Sequence, residues 1–197
     1  MTNWPSTYLR DKVTGEVPDA SLPRVRAPER PVPTPGQPNE ASGMQTLIRL
    51  HKLSRRLFDR RWLGLSRFID RVIRLVYAAR IPAEADIHPT VHFSHNALAV
   101  VVTKKAVIGP HCHIGMHVLL GSRWPLAGGP RLEENVIVHA GAKIIGPVKI
   151  GRGSVIGANA VVLEDIPPYS LAVGVPAVVK KTGIRVEEYL PSAAAED

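Results

Sequence analysis

In the second half of the chain an aliphatic residue returns every six positions, at Val102, Ile108, Ile114 and Leu120, and again at Leu132, Val138, Ile144, Ile150, Ile156 and Val162. Ile81, Ile87 and Phe93 keep the same step in an earlier block. A helix repeats its face every 3.6 residues, and a hairpin protein does not hold a step of six through so many units. Six residues make one short strand and a tight turn. Three such units close a triangular coil whose aliphatic side chains stack inward, and neighbouring coils bury what one coil cannot. Four places after the aliphatics stand small or β-branched residues: Ala106, Cys112 and Val118, then Val136, Ala142, Val148, Ser154 and Ala160. The predicted fold is mainly β, a parallel β-helix over residues 81–179.

Two breaks interrupt the period. Phe93 to Val102 is nine residues, so three extra residues bulge out there. Leu120 to Leu132 is twelve, and the Pro/Gly-rich stretch Trp124-Pro125-Leu126-Ala127-Gly128-Gly129-Pro130 reads as an ejected loop. Loops thrown out of a regular coil are where binding groups concentrate. Glycine directly after the aliphatic, as at Gly109, Gly115, Gly121, Gly151 and Gly157, suits corners with tight backbone paths.

Before the coil the texture differs twice. Residues 1–43 hold 8 of the 18 prolines with few apolar residues between them, and read as a disordered tail. From Met44 to about Ala79, Leu47, Leu50, Leu57, Leu65, Phe68, Ile69, Val72, Ile73 and Val76 recur at helical steps. Two short helices are expected there, jointed at Gly64. This segment, residues 44–80, carries ten Lys/Arg against Asp59 and Asp70, an excess equal to the +8 of the whole chain. The expected arrangement is a solvated helical face packed on the coil; contact with an anionic membrane surface is the alternative. Residues 180–197 read as a C-terminal tail.

A single cysteine excludes a disulfide framework and multi-cysteine metal sites. No apolar run reaches a membrane span and no secretory stretch opens the chain, so a cytoplasmic protein is expected. Aromatic residues make up only 5%, too few stacking platforms to expect nucleic acid. His111-Cys112-His113 invites a metal reading, but alternate strand side chains face opposite ways and Cys112 holds the small-residue position of its rung. No metal is expected.

Several segments together resemble a known family, the left-handed β-helix hexapeptide-repeat acyltransferases, and within it serine O-acetyltransferases and related exopolysaccharide O-acetyltransferases. They are Ser94-His95-Asn96 with Ala99-Val100-Val101-Val102, then Val107-Ile108-Gly109, the run Val138-His139-Ala140-Gly141-Ala142-Lys143-Ile144-Ile145-Gly146, the run Ile156-Gly157-Ala158-Asn159-Ala160-Val161-Val162, and Gly174-Val175-Pro176-Ala177. The resemblance implies a left-handed coil, acetyl-CoA as co-substrate, a hydroxyl-bearing small molecule or sugar as acceptor, and a homotrimer with sites between neighbouring coils. His95 matches the family's catalytic histidine. A hydroxyl is a weak nucleophile at neutral pH, and a neutral imidazole takes its proton as it attacks a thioester. Ala140 and Ala160 match positions beside the CoA arm, and Lys180 with Lys181 is expected to meet nucleotide phosphates.

The sequence also departs from the serine enzymes. Asp86-Ile87-His88-Pro89 looks like their Asp-Ile-His-Pro string, yet counting back in sixes from Phe93 puts Arg80-Ile81-Pro82 where that string belongs. Ser94 stands where they have Asp, and Ala127-Gly128-Gly129-Pro130 where they carry a basic substrate-binding stretch. A site without buried polar partners discriminates poorly for a charged acceptor. Serine and a polysaccharide sugar therefore both stand as acceptors, and a catalytically silent trimeric scaffold is the competing class.

Overall fold

The structure, a computed structural model, describes residues 38–189 of the chain. The expectation of a tail over residues 1–37 lies outside them, as do residues 190–197. Strands are numbered β1 to β14 in chain order. They form three parallel faces, each a ladder of strands of two to five residues.

On the first face lie β3 (Val101–Val102), β6 (Leu119–Gly121), β9 (Lys143–Ile145) and β12 (Val161–Val162), headed by an isolated bridge from Arg80 to Val101. The second carries β1 (Asp86–Ile87), β4 (Val107–Ile108), β7 (Arg131–Leu132) and β10 (Lys149–Ile150). On the third are β2 (His92–Phe93), β5 (His113–Ile114), β8 (Ile137–Val138), β11 (Val155–Ile156) and β13 (Ser170–Val173), closed by the antiparallel β14 (Val178–Thr182). The chain visits the faces in rotation, so each hexad aliphatic stacks on its counterpart one coil away. Ile87 pairs with Ile108 and Ile108 with Leu132; Phe93 pairs with Ile114 and Ile114 with Val138. These side chains are all but one fully buried in one continuous core; Ile87 packs against it partly exposed.

The small residues four places on turn inward as well, from Ala106 to Ala160, because a triangular interior narrows at its corners. At four corners glycine is required by close approach. A Cβ on Gly109 would stand 2.8 Å from the Glu133 carbonyl carbon, and one on Gly115 2.6 Å from the Ala140 nitrogen. On Gly151 it would overlap Pro168, and on Gly157 it would come 2.7 Å from Val173. Gly121 is free of this constraint, its nearest neighbours being Leu119 side-chain atoms.

Helix α1 (Pro38–Asp59) and helix α2 (Leu63–Tyr77) pack on one another and, through Leu47, Ile48, Ile69 and Ile73, on the coil's core. The first helix thus begins six residues inside the segment read as tail. The joint is at residues 60–62, with Arg61 left-handed at φ 61°, while Gly64 lies within α2. Polar contacts fix the helices: the Ser54 hydroxyl of α1 donates to Asp70 of α2 at 2.7 Å, and the Arg55 guanidinium ties α1 to the Ala85 carbonyl ahead of β1 at 2.9 Å.

At the other end the fold runs past the expected tail boundary. After β14, Ile184, Val186 and Tyr189 fold over Ile137, Val155 and Leu171 on the outside of the third face. These outward positions are apolar because the C-terminal segment covers them.

Candidate active site

The site is built on the corner where the third face turns into the first. In the first coil this corner carries the nine-residue step, and the extra residues form a 3-10 turn, Ser94–Ala97, against which α1 packs. His95, Asn96, Ala97 and Ala99 all hold left-handed φ, between 50° and 60°. Four non-glycine residues in this region within five positions are costly, and such strain persists only where surroundings over-determine it, as at active sites. Ala97 is fully buried as the anchor, while His95 and Asn96 are exposed at the tip.

From that turn backbone bonds run down the same corner through every coil. The His117 amide donates to Leu98 at 2.8 Å, Gly141 to Met116 at 2.9 Å, Asn159 to Ala140 at 3.0 Å and Val161 to Gly174 at 3.0 Å. His95, Ala140, Asn159 and the exposed Gly174-Val175-Pro176 thus line one edge. Small residues border it, since a Cβ on Gly141 would overlap the Asn159 side chain.

The expected site residues take different places on it. Ala140 is half-buried at the corner itself. Ala160 is fully buried, and its amide and carbonyl are both taken, by Gly157 and Lys143. Its small side chain serves the interior, so the matching position beside it on the surface is Asn159. Lys180 is exposed on β14, where the pairing shifts between Leu171 and Ala172 and leaves it as the extra residue of a bulge.

His117 and His139 share this corner and were not singled out by sequence reasoning. His139 is half-buried, and burial pushes its imidazole below the ordinary histidine value. The usable signal was the hexad register, which puts residues 95, 117 and 139 on one corner of successive coils.

The ejected loop, residues 121–131, leaves from the next corner, between the first and second faces. It is turned by the Leu126 amide donating to the Arg123 carbonyl at 2.7 Å, and with the first face it borders an open groove of about 570 Å³ lined by Val101, Lys104, Lys105, Leu119, Leu126 and Gly128. Asp86 sits on the second face opposite Val107, and Arg80 heads the first. Cys112 turns into the core, donating to the Glu133 carbonyl at 2.9 Å, and burial pushes its thiol up to about 12. Its side chain thus lies in the core, whereas those of His111 and His113 on either side are partly exposed.

Residues 129–164 match the family model described as bacterial transferase hexapeptide (six repeats). The serine acetyltransferase of Synechococcus elongatus is 33% identical over 148 residues, covering 74% of this chain and 60% of that one. A soybean serine acetyltransferase complexed with serine superposes with a TM-score of 0.64 at 36% identity, over 68% of this chain and 55% of that one. A serine acetyltransferase in complex with CoA does so with a TM-score of 0.62 at 31% identity, over 68% and 55%. The chain spans less than two thirds of the length of these relatives. The hexad core, the strained turn ahead of the second coil and these matches together make the chain similar to the hexapeptide-repeat acyltransferases, with serine acetyltransferases as its likeness in both sequence and fold.

Proposed function

We propose that the chain is an acetyl-CoA-dependent O-acetyltransferase with His95 as general base. The observation that carries this reading is the strained turn holding His95 at the head of a backbone-lined edge. The similar proteins are named as serine acetyltransferases, one in complex with CoA and one with serine, and the small-residue border from Gly115 to Gly174 fits a long thioester ligand. Acetyl-CoA supplies an acyl group already activated as a thioester. His95, exposed and held by the anchored Ala97, accepts the acceptor's hydroxyl proton as the oxygen attacks and returns it to the departing sulfur. Lys180 and Lys181, exposed beyond Ala177, offer point charges for nucleotide phosphates.

For the acceptor, the register favours a sugar hydroxyl over serine. Arg80 heads the first face, Asp86 lies a face away, and the loop carries Ala127-Gly128-Gly129-Pro130, so a zwitterionic amino acid finds few of the fixed partners it requires. His95 and the loop stand on different corners of one triangle, which supports a homotrimer in which one chain's His95 faces the loop of the next. The test is thiol release from acetyl-CoA with serine and with purified sugar residues as acceptors. Release with a hydroxyl acceptor supports the enzyme and its identity names the branch; none with any acceptor would mean a silent scaffold.

A further inference from the structure

We propose that α2 and the arginine-lined pocket beside it dock the protein on an anionic lipid bilayer. Helix α2 spends one face on the core, through Ser66, Ile69 and Ile73. A second apolar row remains: Leu65, Phe68, Val72, Leu75 and Val76 fall at helical steps, and Phe68, Leu75 and Val76 are 58%, 87% and 65% exposed. Trp62, 64% exposed, stands at the helix start. Among the described residues no other element leaves so much large apolar surface exposed.

Beside this row run Arg67, Arg71 and Arg74, at i, i+4 and i+7, a single stripe. They open into a pocket of about 350 Å³ shared with Arg80 and Lys104. Its two carboxylates are already engaged, Asp70 by Ser54 and Glu84 by Lys104 at 2.7 Å. Arg71, Arg74 and Arg80 pair with no carboxylate among the described residues. Among the described residues the charge of these three arginines is therefore not neutralised, and it flanks an apolar row left exposed on the same helix.

Charge complementarity decides the occupant. A second copy of this surface would bring like charges together, whereas a bilayer with anionic headgroups satisfies both rows at once, apolar side chains in the acyl boundary and guanidiniums on phosphates. Exposed Trp and Phe suit that boundary. Among the described residues no helix is long and apolar enough to cross a membrane, so the contact is peripheral.

The experiment is co-sedimentation of the full chain with vesicles of phosphatidylglycerol and phosphatidylcholine in equal parts, against phosphatidylcholine alone. Binding to the mixed vesicles alone, weakening as salt rises, is the expected result. Arg67→Glu with Arg71→Glu and Arg74→Glu should lower the partition coefficient by about 100-fold. Phe68→Ser with Leu75→Ser should lower it by about tenfold. Unchanged melting curves for both variants show that the fold is intact, as the side chains are exposed. Equal binding to both vesicles, no binding to either, or variants that bind like the parent would overturn the proposal. So would a Phe68→Ser, Leu75→Ser chain that binds vesicles normally but changes its oligomeric state, which would give the row to a second copy.

Discussion

Arg80 bridges Val101 in parallel: its amide donates to the Val100 carbonyl at 2.8 Å and its carbonyl accepts from the Val102 amide at 2.8 Å. That bridge makes Arg80 the start of the first face and leaves Asp86, opposite Val107 on the second, a face away from the corner that carries His95. Asp86→Asn should therefore keep kcat within about threefold of the parent, while His95→Ala lowers it by about 10²–10⁴ with CoA affinity near normal. Steady-state rates and calorimetric CoA binding check both. An Asp86→Asn loss as deep as that of His95→Ala would show that the carboxylate reaches the histidine after all.

Corner glycines divide into two kinds, and substitution should separate them. Gly115→Ala places a methyl 2.6 Å from the Ala140 nitrogen, backbone that cannot step aside without moving a coil. A loss of about 1–3 kcal/mol is expected, read as a fall of roughly 3–10 °C in Tm. Gly121→Ala meets only Leu119 side-chain atoms at 3.5–3.7 Å and should leave Tm within about 2 °C. Equal effects would mean that corner spacing does not set the requirement.

How far the sequence carried this can be read at particular residues. The core from Ile81 to Val162 was legible because each aliphatic has one position per rung, and both breaks in the period are where the structure leaves the coil. The fifth coil was hidden. Ile166 follows Val162 by four residues; it bridges Ile150 by donating to the Lys149 carbonyl at 2.9 Å and accepting from the Gly151 amide at 2.8 Å, while the Asp165 carboxylate accepts the Lys149 amide at 2.7 Å, replacing part of a rung with a side chain. Ala172, which completes that coil against Ile156, is too small to register as a hexad aliphatic. The cover of Ile184 and Val186 over the third face was equally hidden, since contact between segments distant in sequence leaves no period. At the site, the His95 turn was legible from its nine-residue step, whereas the inward side chain of Ala160 depended on which way a corner residue points.

Imidazoles partly or wholly withdrawn from water set an acid limit on stability. Burial, with His92 and His111 nearby, lowers His113 to about 4, and burial lowers His51 and His139 as well. Between about pH 6.5 and pH 4 the unfolded chain binds protons that the folded chain refuses, so stability should fall as pH drops through that window. His113→Val, set in a ladder with Ile137, should flatten the slope by up to about 1.4 kcal/mol per pH unit. Urea unfolding at successive pH values measures it. A slope identical to the parent's would place the titration elsewhere.

The shared-site arrangement makes a quantitative demand on mixed assemblies. His95 lies on the corner between the third and first faces, and the loop at 121–131 leaves from the corner between the first and second, with the outer surface of Val101 and Leu119 between them. Removing residues 124–129 restores the six-residue step from Leu120 to Leu132, so the shortened chain keeps its coil in register. Alone, that chain and the His95→Ala chain should each be inactive while still assembling. Refolded together in equal amounts, they should recover about a quarter of the parent rate, because three quarters of random trimers are mixed and each mixed trimer sets one intact His95 against one intact loop among three seams. Trimer composition is verified by native mass measurement before rates are compared. Recovery near that fraction requires two chains per site; mixed trimers without activity would mean that His95 and the loop serve the same chain, with the acceptor held across the first face.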